Sequence, residues 1–214
     1  MFVAEAGSLH KGNTALACEI VRQFAFAGAD IVKFQLGWPE DDHLRHVGID
    51  MAEHIADYCR AYDVEFMASI WSQEGLKIAR DVGMRRYKVA AQKSYDDELL
   101  EQVLADGKTV FVSGRRMSGT VPIFCQSLYP VYPWKLQMPQ AFREWYGYSD
   151  HSHGIAACLL AISRGAKYIE KHVCLDKTDL ATRDSPFSAT PDEFAELAQV
   201  GGEIARLIWP AARL

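Results

Sequence analysis

Tyr146-Gly147-Tyr148-Ser149-Asp150-His151, then a helical stripe over Ile155 to Ser163, then Tyr168-Ile169-Glu170-Lys171-His172-Val173-Cys174: this stretch decides the fold. Two short β-type runs flank one helix, and a crossover of that length returns the second strand parallel to the first. Side chains alternate faces along a strand, so Ser149 points with His151 and Glu170 points with His172. If the runs are parallel neighbours, the two imidazoles converge at strand C-termini. That arrangement suits a divalent metal at the mouth of a barrel. The alternative is a pair of unrelated, hydrogen-bonded histidines.

The same alternation continues in both directions. Strands are predicted over Phe2 to Ala6, Ile31 to Leu36, Val64 to Ile70, Tyr87 to Ala91, Thr109 to Ser113, Pro122 to Ser127, Tyr146 to Asp150 and Tyr168 to Cys174. Helical stripes run through Asn13 to Ala27, Met51 to Tyr62, Glu74 to Val82, Asp97 to Ala105, Ile155 to Ser163 and Pro191 to Ile208. Leu16, Ile20, Val21 and Phe24 form the first stripe, and Gly28 follows it in the usual C-terminal position. Arg115 to Val121 leaves room only for a loop or a single turn. Successive βα units predict an α/β protein with a parallel sheet, and eight of them favour closure into a (β/α)8 TIM barrel formed by residues 1–214 as a single domain. No G-x-G-x-x-G follows the first strand, so nothing supports dinucleotide binding.

The chain has 214 residues, is 49% hydrophobic and carries a formal charge of −5, with no basic run. It can bury one substantial core, and it lacks the electrostatic footprint of a nucleic-acid or membrane-surface binder. An anionic substrate would need locally placed cations. The five cysteines are widely spaced without a CxxC pair, which predicts reduced thiols and a cytoplasmic protein. No signal-type or membrane-length apolar segment is present in the sequence. A homo-oligomer is compatible with these features.

In such barrels the reactive groups stand where strands meet the following loops. Glu5 and His10 follow strand one, Lys33 and Gln35 share a face of strand two, Ser69 ends strand three, Lys88 and Lys93 frame strand four, Ser113 ends strand five and Tyr129 follows strand six. A lysine inside an apolar strand must find an anion. Lys33 and Lys88 either pair with buried glutamates or, with Ser113 and Ser149, make a phosphate site. His10 could equally be solvated, and Arg115-Arg116 reads as an anion clamp or a solvated loop. Cys174 reads as an inert buried thiol.

Together these elements resemble the sialic acid synthase family of barrel enzymes. The resemblance rests on Ala4-Glu5-Ala6-Gly7 with His10 and Gly12, Ala27 to Gln35, Tyr87-Lys88-Val89, Ser149-Asp150-His151 and Ile169-Glu170-Lys171-His172. It continues through Leu175-Asp176-Lys177, Asp184 and Ser188 to Pro191-Asp192-Glu193-Phe194. It implies condensation of phosphoenolpyruvate with an N-acetylated amino sugar or related aldehyde, giving a sialic-acid-like 2-keto acid. It also implies a divalent metal on His151 and His172, typically manganese, with magnesium, cobalt or zinc as alternatives. Lys33, Lys88, Ser113 and Ser149 fall on the family's phosphoenolpyruvate positions. Glu5, Gln35, Tyr129 and Asp184 fall on positions associated with the sugar or the metal.

The departures from the family pattern matter as much. Ile70 stands where a phosphate-contacting hydroxyl is usual, Ala91 replaces a serine, Ser127 an asparagine, and Lys93 an acidic residue expected to handle a proton or water. The loop from Gly37 to Asp50 is short, and no antifreeze-like domain follows Leu214, so the expected dimer and sugar pocket differ from the family's. Two other readings remain: a lyase or aldolase with Lys93 as Schiff-base nucleophile, and a binding barrel without turnover.

Overall fold

A computed structural model describes residues 1–179, 182 and 184–209. Its eight strands are β1 (Phe2–Gly7), β2 (Ile31–Leu36), β3 (Glu65–Ile70), β4 (Arg86–Val89), β5 (Thr109–Ser113), β6 (Val121–Cys125), β7 (Gly147–Asp150) and β8 (Tyr168–His172). They close into a barrel in chain order, each parallel to the next, with β8 pairing β1. Outside lie α1 (Thr14–Phe26), α2 (Ile49–Ala61), α3 (Gln73–Asp81), α4 (Asp97–Leu104), α5 (Ala156–Ser163) and α6 (Pro191–Ile208). The expected barrel is therefore present, with six α-helices among the described residues. No described helix is long and apolar enough to cross a membrane.

Period-two alternation fills this barrel in layers. Val3, Ile31, Met67, Phe111, Ile123 and Tyr168 pack together inside its lower half. One pleat higher, the same strands place Glu5, Lys33, Ser69, Ser113 and Glu170, all buried. Gly147 sits beside Tyr168 because a Cβ there would stand 2.2 Å from the Tyr168 carbonyl oxygen. The outward side chains, among them Val32, Phe34, Ala68, Ile70 and Val112, form the larger core shared with the helices.

Helix ends follow local chemistry. Asn13 caps α1 by accepting from the Leu16 amide at 3.0 Å, and Thr190 and Glu193 form a reciprocal capping box on α6 with Pro191 in its first turn. The loop 114–120 after β5 carries no α-helix, as its length predicts. The segment after β6 has only a single turn at Pro133–Lys135. There the wall is sealed by Phe124, packed edge-on against Phe142 and Trp145 and stacked on Tyr148.

Three predicted strands run too long, among them the one drawn through Ser127, which ends as β6 at Cys125. β4 ends at Val89 because Ala91–Lys93 winds into a 3-10 turn, and β8 ends at His172, after which Val173 makes only an isolated bridge to Ala189. On the outer face of β7 and β8, Lys171 donates to Asp150 at 2.7 Å and to the Ser152 carbonyl, and both charged groups are fully buried. That pair ties together the strand ends that carry His151 and His172.

His10 is buried rather than solvated. Its Nδ1 accepts from the Gly12 amide at 3.0 Å, its ring packs on Phe34, and burial, with a smaller contribution from His46, lowers its pKa to about 4. An unfolded chain takes up this proton near pH 6.5, whereas the folded one resists until about pH 4. Stability is therefore expected to fall across that window by about 3 kcal/mol. Denaturant midpoints at pH 7 and pH 4 check this: His10→Gln should lose that much less than the parent, and an identical loss would contradict it.

Candidate active site

A cavity of about 400 Å³ opens at the C-terminal end of the barrel. Its floor is a cluster of buried charges. Glu170 on β8 accepts from Lys88 at 3.0 and 3.1 Å, from Ser149 at 2.8 Å and from Tyr168. Lys33 on β2 pairs with Glu5, donates to Ser69 at 2.9 Å and stands 3.8 Å from Glu170. Two lysines thus share two carboxyl groups. Burial pushes Glu170 up, but Lys33, Lys88 and the Tyr168 hydroxyl more than reverse it, so its carboxyl sits far below the usual range. Burial also raises Glu5, and there Lys33 does not fully compensate. The environments separate the two acids: Glu170 stays ionised, while Glu5 is the one disposed to hold a proton.

His151 and His172 stand above this floor, with ring centroids 5.2 Å apart. His151 Nδ1 lies 3.1 Å from the Gln126 carbonyl, which only accepts, so the proton is on Nδ1 and the lone pair is on Nε2. Burial lowers both imidazole pKa values, and in His172 the proximity of His151 adds to the effect. Both rings are held neutral, the form that ligates a metal. His172 Nδ1 lies 3.6 Å from Asp184. No group of three or more His, Cys, Asp or Glu among the described residues is arranged around a metal. The pair nonetheless suits a divalent cation whose other positions fall to water or substrate oxygen.

The remaining expected residues divide. Tyr129 lies over His151 at 4.1 Å between centroids, and burial raises its phenol so that it stays protonated. Gln35 donates to Glu5 at 3.3 Å and accepts from Trp38 at 2.8 Å. Ser113 lines the cavity with a buried hydroxyl that has no hydrogen-bond partner in the protein. Lys93 does not join them. The 3-10 turn after β4 presents Ala90, Ala91 and Gln92 to the cavity, and the Lys93 ammonium instead lies 3.2 Å from Asp96, the cap of α4. The expected charge reversal inside the cavity is thereby corrected. Ile70 faces the outer core and does not line the cavity. Arg115 and Arg116 pair with Asp97 and Glu144 on the surface.

Glu170 was legible only as a face-mate of His172, and its position at the centre of the floor was missed. Ser69, Trp38 and Trp71 also line the cavity.

Residues 41–120 and 121–208 match the NeuB family. The chain belongs to the NeuB family. The N-acetylneuraminate-9-phosphate synthase of Mus musculus is 25% identical over 244 residues, covering 92% of this chain and 68% of that protein. The N,N'-diacetyllegionaminic acid synthase of Campylobacter jejuni is 23% identical over 248 residues, covering 92% and 74%. The N-acetylneuraminic acid synthetase of Leptospira borgpetersenii, solved with citrate, superposes with a TM-score of 0.87 at 26% identity, covering 97% of this NeuB-family chain and 84% of that one. A truncated 3-deoxy-D-arabino-heptulosonate 7-phosphate synthase from Thermotoga maritima shares the fold alone, with a TM-score of 0.71 at 13% identity.

Proposed function

We propose that this NeuB-family barrel condenses phosphoenolpyruvate with an amino-sugar or related aldehyde, giving a sialic-acid-like 2-keto acid and phosphate. One observation carries the reading: two buried lysines and an unsatisfied serine hydroxyl lie under two neutral, converging histidines in a single cavity. Stability does not account for such a floor, because buried ion pairs are often matched or exceeded by well-packed apolar groups. A phosphate anion does account for it. As Glu5 takes up a proton the floor becomes net positive, and the Ser113 hydroxyl, which has no partner in the protein, adds a donor.

His151 and His172 would hold a divalent cation, manganese first among the candidates, which supplies Lewis acidity toward the aldehyde oxygen. Lys33 and Lys88 orient phosphoenolpyruvate so that its enol carbon forms the new C–C bond to the aldehyde carbon. Water then adds to the carbon left electron-poor, and phosphate leaves by C–O cleavage. Glu5, with its raised pKa, is placed to hold the proton that these steps exchange, and Tyr129 and Asp184 border the acceptor side. Much of the rate enhancement comes from positioning, for which effective molarities reach ~10⁵ M or more.

Phosphate release that requires phosphoenolpyruvate, Mn²⁺ and an N-acetylated hexosamine together tests the reading. Release without an acceptor, or none across a hexosamine panel, contradicts it. The Schiff-base alternative finds no support, because Lys93 is turned to Asp96.

A further inference from the structure

Across the mouth from the histidines, the loops after β2 and β3 bring two tryptophans together. The Trp38 and Trp71 ring centroids are 4.6 Å apart with an interplanar angle of 36°, and both rings line the cavity. Trp38 is held on two further sides. Its indole N–H donates to Gln35, which in turn donates to Glu5 on the floor, and the Arg45 guanidinium lies 4.0 Å from its ring centroid. The wall is thus linked to the chemistry by two hydrogen bonds. The Trp71 indole N–H is withdrawn from solvent and has no acceptor in the protein. That N–H has no exposed surface, so what the pair offers the cavity is its aromatic ring surface.

The rim beside the wall is charge-balanced. Arg45 is paired with Asp42 at 2.6 Å, and Lys11 with Asp179. A sugar presents polar edges and a flat, weakly positive C–H face, which matches the negative face of an indole. These features together describe the acceptor rather than phosphoenolpyruvate, whose charge belongs on the lysines below.

We propose that Trp38 and Trp71 form the acceptor subsite and that it takes an uncharged sugar, with the C–H face against the indole wall. The inference rests on the condensation reading and names the acceptor class for the same site.

Steady-state kinetics of Trp38→Ala and Trp71→Ala with N-acetylmannosamine, phosphoenolpyruvate and Mn²⁺ test it. The acceptor KM should rise tenfold or more while the phosphoenolpyruvate KM stays within twofold, and Trp71→Phe should recover part of the loss. N-acetylmannosamine should also be used better than its 6-phosphate. An unchanged acceptor KM, an equal rise in both KM values, or preference for the phosphorylated sugar would overturn the subsite. Indole fluorescence on titration with N-acetylmannosamine separates the two claims. Saturable quenching in the parent that is lost in both alanine variants supports the subsite even if no phosphate is released, which would sink only the condensation. No quenching sinks the subsite.

Discussion

His151→Ala and His172→Ala are each expected to lower Mn²⁺ affinity by at least about 100-fold, or about 2.7 kcal/mol. The two rings are the protein's converging neutral nitrogens, and removing either halves that set. Burial lowers both pKa values, so proton competition at neutral pH is weak and the loss reads directly as lost ligation. Titration calorimetry with Mn²⁺ measures it. His153→Ala is the control, because that exposed ring follows the same strand end without lining the cavity. Unchanged affinity in either principal variant would mean that the rings are only hydrogen-bonded neighbours.

The second large effect concerns the floor. Lys88→Met removes the closest cation from Glu170, which remains buried with Lys33 at 3.8 Å. A carboxylate stranded in this way typically costs about 3–5 kcal/mol of stability. Phosphoenolpyruvate affinity is expected to fall by about 100-fold or more, since a charge-assisted phosphate contact is lost in a site shielded from water. Low stability alone could mimic weak binding, and the double variant Lys88→Met/Glu170→Gln separates the two. It removes the stranded charge and should regain most of the melting temperature without regaining affinity. Parental affinity in the double variant would make Lys88 a structural partner of Glu170 and nothing more.

Period two carried most of the reading. Along β2 and β8 it places Lys33, Gln35, Glu170 and His172 on the inner face without any knowledge of register. Pairing of Ser149 with Glu170 and of Glu5 with both Lys33 and His172 then follows from closure in chain order. Where the backbone leaves the strand, the rule stops. The resemblance puts Lys93 in the cavity, where the family carries an acidic residue, but the turn at Ala91–Lys93 rotates it outward to Asp96. His10 shows the same limit in reverse, because a loop residue is buried only if something covers it, and Phe34 does so here. The Trp38–Trp71 contact joins two loops 33 positions apart, a contact that no local pattern encodes. Glu170 was visible in the pattern, yet its weight came from Lys33 on β2, one strand beyond β1, and from Lys88 on β4 across the barrel.

The most direct test of the central claim is phosphate release measured with ¹⁸O in the bridging position of phosphoenolpyruvate, in the presence of Mn²⁺ and N-acetylmannosamine. C–O cleavage over the lysine floor predicts that the label leaves with inorganic phosphate, one equivalent for each 2-keto acid formed. Label retained in the keto acid, or a pyruvate adduct trapped by borohydride in place of phosphate release, would contradict the account.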